Sequence, residues 1–281
     1  MKTNFFTTVL SGTAVVSVCS LLLDPISQFN WSWNYLFWLA VSNLLIVFLM
    51  GLLIKNSIHN GWRLALDVFL VLFIIGQFSL LIEAYIFDVT DRSETLLLMV
   101  EGFALSILMA PALVFLFHKW HGSSEKVQFE KRSVLQWSWR IVLGDLLYVF
   151  FYLLAGFVLY AVYPKLMEFY SDKVPPFELM INTQFFRALL FIGICLIIAK
   201  TTKLTKTKKA LLTGLIFSII GGIAPLLMPG DEVMPGYIKF GHAFEVGISN
   251  FIYGYLLSIL VAPKITAETS TLTSKPEILP S

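Results

Sequence analysis

Charge is scarce in this chain and cysteine nearly absent. Acidic and basic residues together make up 14% of its 281 residues, against about a quarter in ordinary soluble domains. So little charge cannot cover the surface of a water-soluble globule of this length. The two cysteines, Cys19 and Cys195, lie in separate apolar runs without a CxxC partner, which excludes a disulfide framework and a cysteine zinc site. No P-loop, Rossmann glycine pattern, HExxH, GxSxG or CxxCH occurs. A nucleotide-driven pump, a zincin, a serine hydrolase and a c-type cytochrome therefore lack support. The net charge of +2 implies no nucleic-acid partner, and no cofactor is called for.

What is present is apolar. Hydrophobic residues reach 57% and the mean hydropathy is +0.80, so lipid is the solvent. A helix needs about 20 apolar residues to cross the hydrocarbon core. Runs of that size recur at 5–23, 35–54, 63–87, 95–117, 141–163, 182–199, 210–228 and 242–262. They are continuous rather than alternating, which selects helices over a barrel. The expected fold is an all-α, polytopic transmembrane bundle of about eight helices. The first run begins after Met1 and Lys2 and could be read as a signal peptide, but its length and the want of a small-x-small site before Asp24 favour a retained helix.

Orientation follows from lysine and arginine in the connections. With eight spans, one side carries fifteen of them, from Lys2, Lys55 and Arg63 through Lys126, Arg132 and Lys200–Lys209 to Lys264 and Lys275, and the other side five. The basic side, with both termini, is expected in the cytoplasm; the short connections suggest a bacterial inner membrane. Trp31, Trp33 and Trp38 mark one interface, and Trp62, Trp120, Trp137 and Trp139 the other. The tail 266–281, rich in Ser, Thr and Pro, reads as disordered.

Similarity at a fixed offset suggests an internal duplication. Leu105–Pro111 (LSILMAP) in the fourth span matches Leu257–Pro263 (LSILVAP) in the eighth, and Gly102 matches Gly254. Leu10-Ser11-Gly12 resembles Leu154-Ala155-Gly156, Asn34 resembles Asn182, and Arg63–Leu66 resembles Lys209–Leu212. Each pair links span n to span n + 4. The expected organisation is a first half at 1–140 and a second at 141–265, sharing one orientation about an axis along the membrane normal. A cavity between the halves becomes the default site.

Charged residues inside spans are costly, about 2.5–3.5 kcal/mol each at the bilayer centre on insertion scales. Two groups stand out. Glu83, Glu101, Arg187, His242 and Glu245 all fall within roughly 10 Å of the outer interface at about 1.5 Å per residue. Glu101 and Arg187 are deepest, and His242 and Glu245 share a helix face at i, i+3. Such a set could bind a cation or metal, titrate during proton-coupled transport, or give Glu101, His242 and Glu245 acid–base roles toward a lipid head group. A histidine with three carboxylates resembles a metal set only loosely, and no metal is assigned. The bland alternative is an Arg–Glu pair with the other groups reaching the interface.

The inner group is Asp67 and Asp145. Intrahelical pairing with Arg63 and Arg140 explains both cheaply; a proton path past Gln77 is the alternative. The His118/His121 pair reads as an interfacial cap. The segment from Pro164 to Met180 is long enough to lie over an outer opening.

Three functions follow from these residues: a small secondary carrier or flippase-like protein with its site between the halves; a membrane-embedded enzyme acting on a lipid or lipid-linked substrate at the outer leaflet; and a non-catalytic scaffold. The bilayer is the expected partner, with a small molecule, ion or lipid as substrate and a membrane-protein partner or second copy possible.

Overall fold

A computed structural model describes residues 4–23, 32–89, 91–171, 173–229 and 234–268. Among the described residues, eight helices are long and apolar enough to cross a membrane: Phe5–Leu23, Trp33–Lys55, Gly61–Ile86, Arg92–Leu116, Val134–Val162, Phe177–Thr201, Lys206–Leu226 and Gly236–Val261. The chain is thus a multi-pass, all-α bundle. The fifth span is longer than the hydropathy alone implies. It begins at Val134 because Ser133 and Gln136 form a capping box there, which satisfies two of the orphan N–H groups of a helix start. Two short strands, β1 (Val127–Phe129) and β2 (Ile265–Glu268), pair antiparallel. The tail therefore starts as a strand through Glu268 rather than as irregular chain; its remainder, 269–281, lies outside the described residues, as does Trp31.

The basic connections gather at one end. Ile58 N–H donates to the Thr201 carbonyl (2.7 Å), Lys203 N–H to Asn56 (3.0 Å), Glu125 N–H to Ile58 (2.8 Å) and Glu130 N–H to Lys264 (2.9 Å). Several cations of this end cap helices, a natural use for them because the last carbonyls of a helix lack intrahelical donors and carry partial negative charge. Lys209 Nζ, buried, donates to Ala199 O (2.6 Å), Arg132 to Val261 O (2.7 Å) and Ala262 O (2.9 Å), and Arg140 Nε to Leu260 O (3.2 Å). Phe5, at the start of the first span, packs on Phe117 and under Lys55, so the chain also starts at this end. Trp62 meets Trp120 at 4.7 Å, and Trp137 lies against Arg132 and Lys200.

This geometry corrects the expected pairs of the inner group. Asp67 Oδ2 lies 2.7 Å from His59 Nδ1, while Arg63 is exposed. Gly61, at φ +58°, takes the left-handed turn that precedes the third span, a conformation glycine adopts without strain, and His59 sits beside Asp67 just beyond it. Arg140 gives its donors to Leu260 O and Gln136 O, the first of which, in the last turn of the eighth span, has no intrahelical donor of its own. Asp145 is left with a buried Oδ1 that has no hydrogen-bond partner. His118 takes φ +56° just past the fourth span, a helix-end conformation usual for glycine or asparagine.

The first span packs on the second and fourth, and the fifth on the sixth and eighth; the third packs on the fourth, and the seventh on the eighth. The third and seventh cross in the middle. Each has a wide-turn π segment there, Val71–Phe78 and Ile216–Ile223, and glycine sets the closeness of approach. A Cβ on Gly76 would sit 3.0 Å from Ile220 Cγ2, and one on Gly221 3.0 Å from Ile75 Cγ2. The core runs through this crossing, from Val16, Val47 and Leu113 on one flank to Phe191, Phe217 and Leu257 on the other.

Two outcomes follow. A Cβ at Gly254 would fall 2.8 Å from Phe217 Cδ2 and 3.1 Å from the Gly214 backbone. Gly254→Val should therefore cost about 1–3 kcal/mol through overpacking, read as an earlier melt of the detergent-purified protein. Cysteines replacing Lys126 and Lys206 should react with an impermeant maleimide from the same side of sealed vesicles.

Candidate functional site

At the end opposite the basic connections a cavity of about 510 Å³ opens into the bundle. It is walled by the last turns of the third span, one face of the fifth, and parts of the sixth, seventh and eighth, with Tyr170 and Val174 of the intervening segment at its rim. The fifth span contributes a repeat: Tyr148, Tyr152, Gly156 and Tyr160 recur every four residues, so they share one helix face, and all four line the cavity. Gly156 leaves open space where a Cβ would stand.

The charged side chains converge from three spans. Arg187 of the sixth span is only 4% exposed. Its Nη1 donates to Glu83 Oε2 of the third span at 2.7 Å and to Gln184 Oε1, one turn earlier, at 2.8 Å. The guanidinium carbon lies 5.8 Å from the centre of the Tyr148 ring. Nε of Arg187 is buried without an acceptor. On the eighth span, His242 Nδ1 lies 3.1 Å from Glu245 Oε2, the i, i+3 geometry their spacing implies. The Tyr170 ring stands 6.5 Å from that of His242. Burial, together with the negative fields of Glu83 and Glu245, pushes the Tyr170 hydroxyl above the usual phenol range. Both carboxylates are thus felt at the rim.

Of the residues the sequence singles out for the outer group, Glu83, Arg187, His242 and Glu245 line this one cavity. Glu101 does not line it: it is half-buried on the fourth span, which packs against the first and third. Its depth along the helix matches the others, but depth does not fix the direction a side chain takes around the axis. Asp67 lies at the basic end with His59. Asp145 lies on the fifth span below the cavity; Tyr253, whose ring lines the floor, has a hydroxyl that is likewise buried and without a hydrogen-bond partner. No three His, Cys, Asp or Glu among the described residues come together in a way that could hold a metal ion.

Sequence reading missed the tyrosine stripe, although its four-residue period was there to see, and it missed Gln184, which stands at i−3 from Arg187. Asn250 was also overlooked. It lines the cavity and reaches the Phe217 and Gly221 carbonyls at 3.5 Å, in the π segment of the seventh span. The segment from Pro164 to Met180 includes a short helix, Pro164–Tyr170, and Tyr163 Oη donates to the Tyr237 carbonyl at 3.1 Å.

No family model, no curated protein and no solved structure matches this chain.

The cavity combines a largely apolar wall with two charge pairs, Glu83–Arg187 and His242–Glu245. Removing one member of a buried pair leaves the other uncompensated, at about 3–5 kcal/mol. Arg187 is the more deeply buried member, with 5% of its side chain exposed against 23% for Glu83. Glu83→Gln should therefore destabilise more than Arg187→Met, and Glu83→Leu combined with Arg187→Met should recover most of the loss. A double-mutant cycle on thermal unfolding in detergent reads all three.

Proposed function

We propose that this protein is a small secondary carrier or flippase-like protein, and that the cavity is its binding site open toward the outside. The observation that carries the reading is depth. Tyr253 lies seventeen residues into the eighth span, which begins at Gly236, so at about 1.5 Å per residue the cavity floor is roughly 25 Å from that end. Against a hydrocarbon core of about 30 Å, such a cavity extends past the bilayer midplane. An enzyme that works on head groups at the outer leaflet has no need of a site so deep, whereas a carrier has only the remaining stretch to open.

Two further features support movement. The ion pair Glu83–Arg187 joins the third span to the sixth, so it ties together the two expected halves. Below the floor, Tyr253 Oη and Asp145 Oδ1 are buried polar atoms without partners, which is costly unless water reaches them in another state of the protein. The π segments where the third and seventh spans cross supply the adjustable element, since such turns concentrate at functional sites.

The reading includes a four-plus-four duplication. It is supported by the reciprocity of the central contacts: Ile75 against Gly221 and Ile220 against Gly76, and Ile58 N–H to Thr201 O with Lys203 N–H to Asn56 O. Exchanging the halves at one constant offset turns each contact into the other. The excess of lysine and arginine at the basic end supports a cytoplasmic location for that end and for both termini, and a bacterial inner membrane is the setting that the short connections suit.

The reading can be tested without knowing the substrate. In a chain with Cys19→Ser and Cys195→Ser, Ser249→Cys places one thiol on the cavity wall. A carrier exposes it in turn to both compartments, so an impermeant maleimide should label it in right-side-out and in inverted vesicles. Labelling confined to one orientation would return the site to a one-sided enzyme or a scaffold.

A further inference from the structure

The charges lining the cavity do not balance one another. Arg187 is taken up by Glu83 and Gln184, and its guanidinium is nearly closed off from the open space. Glu245 has only the His242 ring beside it, so with the imidazole neutral the described lining carries one net negative charge. Aromatic side chains line the same cavity as that charge: Tyr148, Tyr152 and Tyr160 from the stripe, with Phe151 and Phe157 of the same span. The face of an aromatic ring is the negative end of its quadrupole and attracts a cation, more strongly where water is excluded. A lipophilic anion would meet the unpartnered donors Arg187 Nε and Tyr253 Oη, but would have to settle against the Glu83 and Glu245 carboxylates.

We propose that the cavity selects a lipophilic organic cation, with the positive centre between Glu245 and the tyrosine stripe and its apolar groups against the rest of the wall. This rests on the cavity being a substrate site, and it names the substrate class. Glu245 supplies the counter-charge, Tyr152 supplies a ring face, and Gly156 supplies the room. A cation of about the bulk of four phenyl groups fits a cavity of about 510 Å³, within the usual range for small-molecule sites.

The test uses two probes of nearly equal size and opposite charge, tetraphenylphosphonium and tetraphenylborate, in equilibrium dialysis against the full-length protein in a non-ionic detergent, with protein-free micelles as the blank. The phosphonium should bind saturably and the borate at least about tenfold more weakly, a difference of about 1.4 kcal/mol. Glu245→Gln should weaken phosphonium binding about tenfold, while Glu245→Asp keeps most of it. Tyr152→Phe, which retains the ring, should leave affinity within about twofold, and Tyr152→Leu should lower it about fivefold. Gly156→Leu, which meets no neighbour, should fill the space and abolish binding without altering elution on size exclusion. Borate binding as tight as phosphonium, no saturable phosphonium binding, or indifference to Glu245→Gln in a protein that elutes normally would each overturn the proposal. If phosphonium fails while the Ser249→Cys thiol is still labelled from both sides, the ligand class falls and the carrier reading stands. If it binds but labelling is one-sided, the reverse holds.

Discussion

Inside a bilayer no water is present to satisfy a backbone N–H or C=O, so each must find its partner within the protein. Much in this structure answers to that one constraint. It makes the spans helical, and at the basic end it turns Lys209, Arg132 and Arg140 into caps for the helix ends at Ala199, Val261 and Leu260. The same cations that give the chain its charge asymmetry thereby close the bundle, which is why they cannot also pair with Asp145 in the way spacing alone suggests. Where the helices depart from α geometry, in Val71–Phe78 and Ile216–Ile223, polar side chains stand close by. Asn250 reaches two carbonyls of the second segment and Ser42 donates to Ala224 O at 2.9 Å, just past its end.

The opposite end has caps of its own, with Ser32 and Asp91 at the starts of the second and fourth spans and Lys239 Nζ on the Met228 carbonyl, but it is built around an opening. The charged residues of its cavity sit inside the bundle, and they do so in pairs, as the cost of an isolated charge in a low-dielectric interior demands. Glu83 with Arg187 is a fixed pair, reinforced by Gln184. His242 with Glu245 differs in kind, because the imidazole can be charged or neutral in the physiological range while the guanidinium cannot. One pair is therefore suited to holding spans together and the other to exchanging its counter-charge. The proposed cation would take the place that a proton on His242 otherwise holds, with Glu83, Arg187, Tyr148, Tyr152 and Tyr170 as the other groups around it.

The length of the apolar runs made all eight spans legible, and the helix rise put Glu83, Arg187, His242 and Glu245 at a common level. Neither could say which way each side chain turns about its helix axis. That is why Glu101, at a similar depth, ends on the fourth span away from the cavity while Arg187 faces into it. The Asp67–His59 contact was hidden for another reason, since it depends on the left-handed turn at Gly61 and on residues in different elements. The tyrosine stripe on the fifth span was present as a period of four but was masked by the surrounding phenylalanines and leucines. In a span that is hydrophobic all round, a polar face carries little contrast.

The two proposed halves meet through reciprocal contacts, yet the charged residues of the cavity come mostly from one of them. Arg187, His242 and Glu245 and the tyrosines all come from the second half, and the first contributes the end of the third span, with Glu83 as its one charge. Under the proposed duplication this division follows from the physics of the bilayer. A scaffold with near-twofold contacts at Gly76 and Gly221 can pivot about its centre, but two charged cavities would double the burial cost of ionisable groups without doubling the directions in which the bundle can open. Placing most of the cavity charges in the second proposed half leaves a single cavity whose Glu83–Arg187 ion pair spans the division. A pivot at the crossing of the third and seventh spans would then move Glu83 relative to Arg187, so occupancy of the cavity and the arrangement of the halves would be linked through that contact.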